Sequence, residues 1–491
     1  MMNYLAQERN GMETQDLEHH DEMKQVLYQE LPAVNDLILM PACAVLLKSY
    51  SRNALLSAVR KALDELRLEI ASGRHSESSL KRSIGLLPDR IGNFLSRAQR
   101  YSLRPVINAT GVILHTNLGR APLSKAALSH LVEVARGYCN LELDLETGNR
   151  GCRDAHAEAA FLRVLDRAAR NPGVPEQHGV VIVNNCAAAT FLALNSLAEK
   201  SEVIVSRGEL VEIGGGFRIP EILEKSGAIL REVGTTNRTR LEDYQHVIGP
   251  ETGLLLRVHQ SNFSIEGFAE QPSLQSLVEL SKRAGIPLFE DQGTGLLSSL
   301  ERFGISGEPS LCQSFDSGVD LIAASGDKLL GGPQCGILVG RKDLIERIRK
   351  NPLFRAFRVD KLIYAALEAT LLEHLSSDPA SGPTERMLSI LPEEIMRRCR
   401  QIIAEIASPH LGLDVVPVAS LIGGGTAPKA SLQSYAISVR HISVTPQELL
   451  ERLRKLEPPI IARITNDTIL LDLRTVSPEF DEDLGTLLAT L

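Results

Sequence analysis

Lys328 and Asp291 are the side chains whose setting in the sequence best suits chemistry. Lys328 lies in Ser325-Gly326-Asp327-Lys328-Leu329-Leu330-Gly331-Gly332-Pro333, between the apolar runs Leu321 to Ala323 and Gly336 to Val339. The turn is too rich in glycine for helix and lets a ligand come close to the backbone. A lysine presented there suits pyridoxal phosphate, whose aldehyde needs an amine able to lose its proton in a partly desolvated pocket. A hairpin carrying a solvated lysine would read the same way. Asp291 closes the run IPLFED and precedes Gln292-Gly293-Thr294-Gly295. A carboxylate at the C-terminal end of a strand lies where ligands collect in open α/β sheets, and there it would keep a pyridine nitrogen protonated. Strand-end aspartates also cap turns, so the pair, one crossover apart, carries more than either residue alone.

Such a cofactor also needs an anion nest. Asn184-Asn185-Cys186-Ala187-Ala188-Ala189-Thr190 follows the strand-like VVIV and leads into the helical FLALNSLA. Small residues at a helix N-terminus expose N–H groups and the positive dipole end, so Cys186, Ala187 and Ala188 are expected at the phosphate, with the Ser325 hydroxyl beside them. Any helix packed tightly on a sheet could show the same alanines, and Cys186 would also serve as a small apolar packer. Arg120 in HTNLGRAP and Arg355 and Arg358 in NPLFRAFRVDK offer rigid forks for a second, phosphate-like ligand. Arg355 and Arg358, three apart, would share a helix face, unless they pair with Asp360 and Glu368. No metal-binding arrangement is evident.

The elements that must position these groups fall into blocks. Residues 105–375 alternate short β-rich runs with longer helical stretches, the texture of a mainly parallel sheet covered on both faces. Residues 384–491 read as a small α+β domain, joined through Ser376 to Pro383. Residues 25–104 read as a small helical domain, with Leu56, Val59, Leu63, Leu66 and Ile70 on one face, and residues 1–24 as a mobile tail. The net charge of −8 conceals an asymmetry: from Pro41 to Arg104 there are twelve basic and five acidic residues, a net +7 that leaves −15 for the remainder. A basic module on an acidic body suggests a polyanionic partner, although a solvated helical surface could be equally basic. The 491 residues contain no long apolar run and no hydrophobic N-terminal segment, and the seven cysteines never form C-x-x-C. A cytoplasmic protein without a disulfide framework or zinc site is expected.

Longer motifs narrow the reading. RPVINATGVILHTNLGRAPLS, NLELDLETGNRGCRD, VIVSRGELVEIGGGFRIPEI, EVGTTNRT, SGDKLLGGPQ and PLFRAFRVDK resemble the motifs of the bacterial selenocysteine synthase family, the L-seryl-tRNA(Sec) selenium transferases. LYQELPAVNDLI, LIGGG, EPPIIARI and LLDLRTV extend the resemblance to nearly everything after Lys24. It implies a pyridoxal-phosphate enzyme of the aspartate-aminotransferase-like fold (fold type I). It further implies a homo-oligomer, a decamer built as a pentamer of dimers, whose N-terminal domain grips the tRNA. Lys328 would be the aldimine lysine with Asp327 beside it, and Arg120, Arg355 and Arg358 would line the selenium-donor pocket. Seryl-tRNA(Sec) would become selenocysteyl-tRNA(Sec) through a dehydroalanyl intermediate that takes selenium from selenophosphate. The family commonly has Asp-Leu-Gly-Ser-Gly at Asp291 to Gly295, and Asn where this chain has Cys186, departures that bear on local packing. Two other readings stand beside this one. The first is a pyridoxal-phosphate lyase acting on a free small amino acid or amino sugar acid, which would not need the basic module. The second is a tRNA-binding protein with an inactive catalytic fold, against which Lys328 and Asp291 argue.

Overall fold

A computed structural model describes residues 24–168, 177–213, 216–376 and 382–491. The tail expected over 1–24 lies outside these residues except for Lys24, as does most of the linker expected over 376–383. The chain divides into two compact units, with the boundary between Arg104 and Pro105.

The first unit is helical. Its longest helix, Arg52–Ala71, begins where the Ser51 hydroxyl accepts the Ala54 N–H, and it buries Leu55, Val59, Leu63, Leu66 and Ile70. The buried stripe therefore runs through Leu55, with Leu56 half-buried beside it. Leu87–Gln99 packs against this helix through Leu87, Ile91 and Leu95. Arg60, Lys61, Arg67, Arg74, Lys81, Arg82 and Arg97 are exposed. Arg90 instead pairs with Glu69 at 3.2 Å.

The second unit is built on a seven-stranded sheet of β1 (His178–Val183), β2 (Glu202–Ser206), β3 (Ile229–Val233), β4 (Thr252–Val258), β5 (Leu288–Asp291), β6 (Leu321–Ser325) and β7 (Gly336–Arg341). Its order is β1-β7-β6-β5-β4-β2-β3. All neighbours pair parallel except β7, which runs antiparallel to both β1 and β6. Alternation along each strand feeds two cores: Ile182 and Leu255 face one layer, Val181, Val183, Leu254 and Leu256 the other. Helices cover both faces, Ala155–Ala168 and Leu274–Ala284 on the first, Cys186–Ala198 on the second.

Towards the C-terminus a long hairpin, β8 (Leu411–Gly423) and β9 (Thr426–His441), pairs with β10 (Thr468–Asp472). Val112–Leu114 joins this sheet parallel to β8, and Ile107–Asn108 pairs with Ile460–Ile461. The stretch just after Arg104 is thus built into the C-terminal layer before the chain enters the large sheet. Buried Asp472 anchors the junction, accepting the hydroxyls of Ser420 and Ser434 at 2.7 Å each.

Candidate active site

The C-terminal edge of the large sheet holds a cavity of about 260 Å³ whose wall includes Lys328, Asp291, Cys186, Ala187, Ser325 and Arg120. Register explains the meeting of the first two. Asp291 ends β5 beside Ala323 of β6, and Lys328 follows three residues after that strand ends. The lysine turn is tied down by Gly326 N–H to Cys335 O at 2.9 Å, Gly332 N–H to Gly326 O at 2.8 Å and Leu329 N–H to Thr294 O at 3.0 Å. Two glycines allow the close approach. A Cβ on Gly295, whose φ is +68°, would lie 2.1 Å from Ser325 O, and one on Gly336 would lie 2.1 Å from Asn185 O.

Lys328 is 7% exposed, and its amine makes no hydrogen bond or ion pair among the described residues. Burial, the largest cause, holds its pKa below the ordinary lysine value. Asp291, 6% exposed, is pushed up, again chiefly by burial. Its Oδ2 accepts the Thr190 hydroxyl at 2.8 Å, and its Oδ1 lies 3.6 Å from Cys186 Sγ, the donor. Burial pushes the Cys186 thiol well up, so it is a neutral packing and donor group with no thiolate character. The helix Cys186–Ala198 starts at the cavity, capped by the Asn185 side chain, which accepts the Ala188 N–H at 2.9 Å. The cap occupies Ala188, which does not line the cavity, while Cys186 and Ala187 do.

Arg120 stands at the rim in a left-handed conformation, φ 63°, fixed by Arg120 N–H to His115 O at 3.1 Å and Ala121 N–H to Asp327 O at 3.2 Å. Its guanidinium donates to Asp327 Oδ2 at 2.7 Å. Asp327 does not line the cavity, and its Oδ1 is buried with no hydrogen-bond partner among the described residues. Arg355 and Arg358 are not in the wall. Nor do they share a helix: Pro352–Phe357 ends before Arg358, whose ψ of 140° turns the chain into a bridge with Val183. The shared face expected from their spacing is therefore corrected by this early stop. Arg355 is exposed, and Arg358 lies 3.9 Å from Glu142.

Thr190 and His259 line or support the site without having been singled out in the sequence. Thr190 is one turn beyond Cys186, so helical spacing alone would aim both at Asp291. His259 directly follows β4, at a strand end where ligands gather. Its N–H donates to Asp291 O at 3.0 Å, and its Nε2 meets Glu308 Oε1 at 3.1 Å.

The sheet order, with its single antiparallel strand, and the buried lysine and aspartate at its C-terminal edge define a protein of the aspartate-aminotransferase-like fold. A solved structure of D-glucosaminate-6-phosphate ammonia-lyase shares that fold, with a TM-score of 0.54 at 19% identity over 79% of this chain and 95% of the other. The family described as L-seryl-tRNA selenium transferase matches residues 106–477, and selenocysteine synthase N terminal matches residues 28–67. The L-seryl-tRNA(Sec) selenium transferase of Aquifex aeolicus is 44% identical over 95% of this chain and 98% of its own. That of Moorella thermoacetica is 44% identical over 94% and 96%, and that of Geobacter sulfurreducens 42% over 95% and 98%. The chain belongs to the L-seryl-tRNA selenium transferase family.

Proposed function

We infer that this protein is a pyridoxal-phosphate enzyme that converts L-seryl-tRNA(Sec) to L-selenocysteyl-tRNA(Sec) with selenophosphate, as its curated relatives are named to do. The observation that carries the reading is the buried, unpartnered Lys328 amine sharing one cavity with buried Asp291. The residues fit the cofactor. Asp291 has hydroxyl and thiol donors but no cationic partner within bonding distance among the described residues, a gap that a protonated pyridine nitrogen would fill. The first amides of the helix Cys186–Ala198 and the Ser325 hydroxyl would hold the phosphate. Bound pyridoxal phosphate supplies the electron sink that acidifies the serine α-proton.

Lys328 would hold the cofactor and, after exchange with the serine amino group, act as the base at the α-carbon. Its burial already favours the neutral amine that this role requires. Asp291 would hold the ring nitrogen's proton, with Thr190 orienting the carboxyl. Arg120, Arg355 and Arg358 are proposed to clamp selenophosphate while the β-hydroxyl leaves and selenium adds at the β-carbon. Asp327, through its bond to Arg120, would set that guanidinium's position.

The exposed basic residues of the N-terminal unit support a tRNA-binding role for it. Fully exposed Tyr138 and largely exposed Leu145 support a homo-oligomer, for which the family resemblance suggests a decamer of five dimers. All seven cysteines are free, and among the described residues no helix is long and apolar enough to cross a membrane, which supports a cytoplasmic location. The test is Lys328→Ala. Turnover of seryl-tRNA(Sec) should vanish while a gel shift with the tRNA persists. Loss of the shift with chemistry retained would overturn the assignment.

A further inference from the structure

A second, larger cavity of about 750 Å³ shares Val258 and His259 with the Lys328 cavity. The smaller one falls below, and the larger within, the roughly 300–1,000 Å³ of ordinary small-molecule pockets. The seryl group of the inferred substrate is esterified to a terminal nucleoside, which must lodge within one ester linkage of the reacting carbon. The two cavities share Val258 and His259 in their walls, so the larger space adjoins the Lys328 cavity. Exposed Ser264 and Ser306 lie at its edge, so a ligand inside can remain attached to a macromolecule.

Its chemistry suits a base better than a phosphate. Glu290 and Glu308, 4% and 9% exposed, stand in the wall. Burial pushes the Glu290 carboxyl up, and one of its oxygens has no partner among the described residues. The wall's guanidinium, Arg257, is already paired with Glu209 at 3.1 Å. The wall therefore offers the unpartnered Glu290 oxygen to an exocyclic amine and little free positive charge for an anion. Half-buried Phe263 adds a face on which a base can stack.

We propose that this cavity receives the 3′-terminal adenosine of the aminoacyl-tRNA, with Phe263 stacking on the base and the glutamate-lined wall reading its edge. The proposal rests on the seryl-tRNA reading above. It is tested on the holoenzyme with an amide-linked 3′-seryl-adenosine mimic and its inosine counterpart, which lacks the exocyclic amine. Titration calorimetry should show the adenosine probe bound about tenfold more tightly than the inosine probe. Phe263→Ala, and separately Ser306→Trp at the cavity edge, should each weaken the adenosine probe about tenfold or more, with the cofactor absorbance and the gel shift of uncharged tRNA(Sec) unchanged. Equal affinity for the two probes, or unchanged affinity in both variants, overturns the inference. Failure of the parent enzyme to convert seryl-tRNA(Sec) would instead overturn the functional reading beneath it.

Discussion

Replacing Lys328 by methionine should make the cofactor-free protein more stable. The residue is 7% exposed, its amine is unpaired among the described residues, and burial holds its pKa below the ordinary 10.5. Methionine matches its unbranched reach without a charge, and a buried group left without its partner costs about 1–3 kcal/mol, more when charged. The gain should therefore be about 1–3 kcal/mol where the folded amine is still charged. Its pH dependence follows from linkage. Between the depressed folded value and 10.5 the unfolded chain holds a proton that the folded chain has released, so the parent's stability rises with pH across that window. Below the window both states are protonated and the folded state bears the whole cost of the buried charge. The advantage of Lys328→Met should thus be largest at the acid end of that window and shrink towards pH 10.5. Urea unfolding of the stripped proteins across that range measures it. A variant less stable than its parent, or a difference that does not change with pH, would refute the claim that this lysine is held ready as a neutral amine.

Asp291→Asn should weaken cofactor binding, read by fluorescence titration, and lower kcat about 10²-fold or more, because the amide cannot hold the ring nitrogen's proton. Comparable cofactor affinity in the variant would remove Asp291 from that role. Arg120→Ala strips the partner from Asp327, whose side chain is 7% exposed, and should cost about 1–3 kcal/mol in urea unfolding besides raising KM for selenophosphate. Arg355→Ala, at an exposed position, should change stability by no more than about 0.5 kcal/mol while raising the same KM. An unchanged KM would release Arg355 from the donor site.

The large sheet was readable because its strands are short apolar runs bounded by turn residues, and the runs VVIV, IPLFED, Leu321 to Ala323 and Gly336 to Val339 overlap β1, β5, β6 and β7. β8 was not foreseen, because LGLDVVPVASLIG mixes exposed and half-buried positions along a hairpin that faces solvent on one side. Lys328 and Asp291 stood out through local signals, a glycine-rich turn and a strand end. Thr190, His259 and Glu308 did not, since their roles arise from contacts across 101 residues in one case and 49 in the other. The pairing of Arg120 with Asp327 spans 207 residues and depends on a left-handed backbone at Arg120. Nothing in HTNLGRAP announces that conformation, because only Gly119 of the pair is a residue that adopts it readily.

That pairing bears on how the site works. Asp327 and Lys328 are neighbours in the chain, yet the aspartate is not part of the lysine's cavity wall and spends one oxygen on Arg120. Were Asp327 to bond Lys328, it would hold the ammonium charged and raise its pKa, the wrong direction for a base. By engaging Arg120 it leaves burial dominant at Lys328 and fixes a cation at the cavity rim. Arg120 also disfavours a proton on the lysine through its own charge. Under the proposed function one ion pair would serve two ends, favouring a neutral Lys328 amine and placing a positive group where an anionic selenium donor would arrive. Arg120→Met should accordingly raise the pH at which the amine becomes nucleophilic, measured by the pH dependence of its reaction with pyridoxal phosphate in the stripped protein. A midpoint unchanged or lowered would show that burial acts alone.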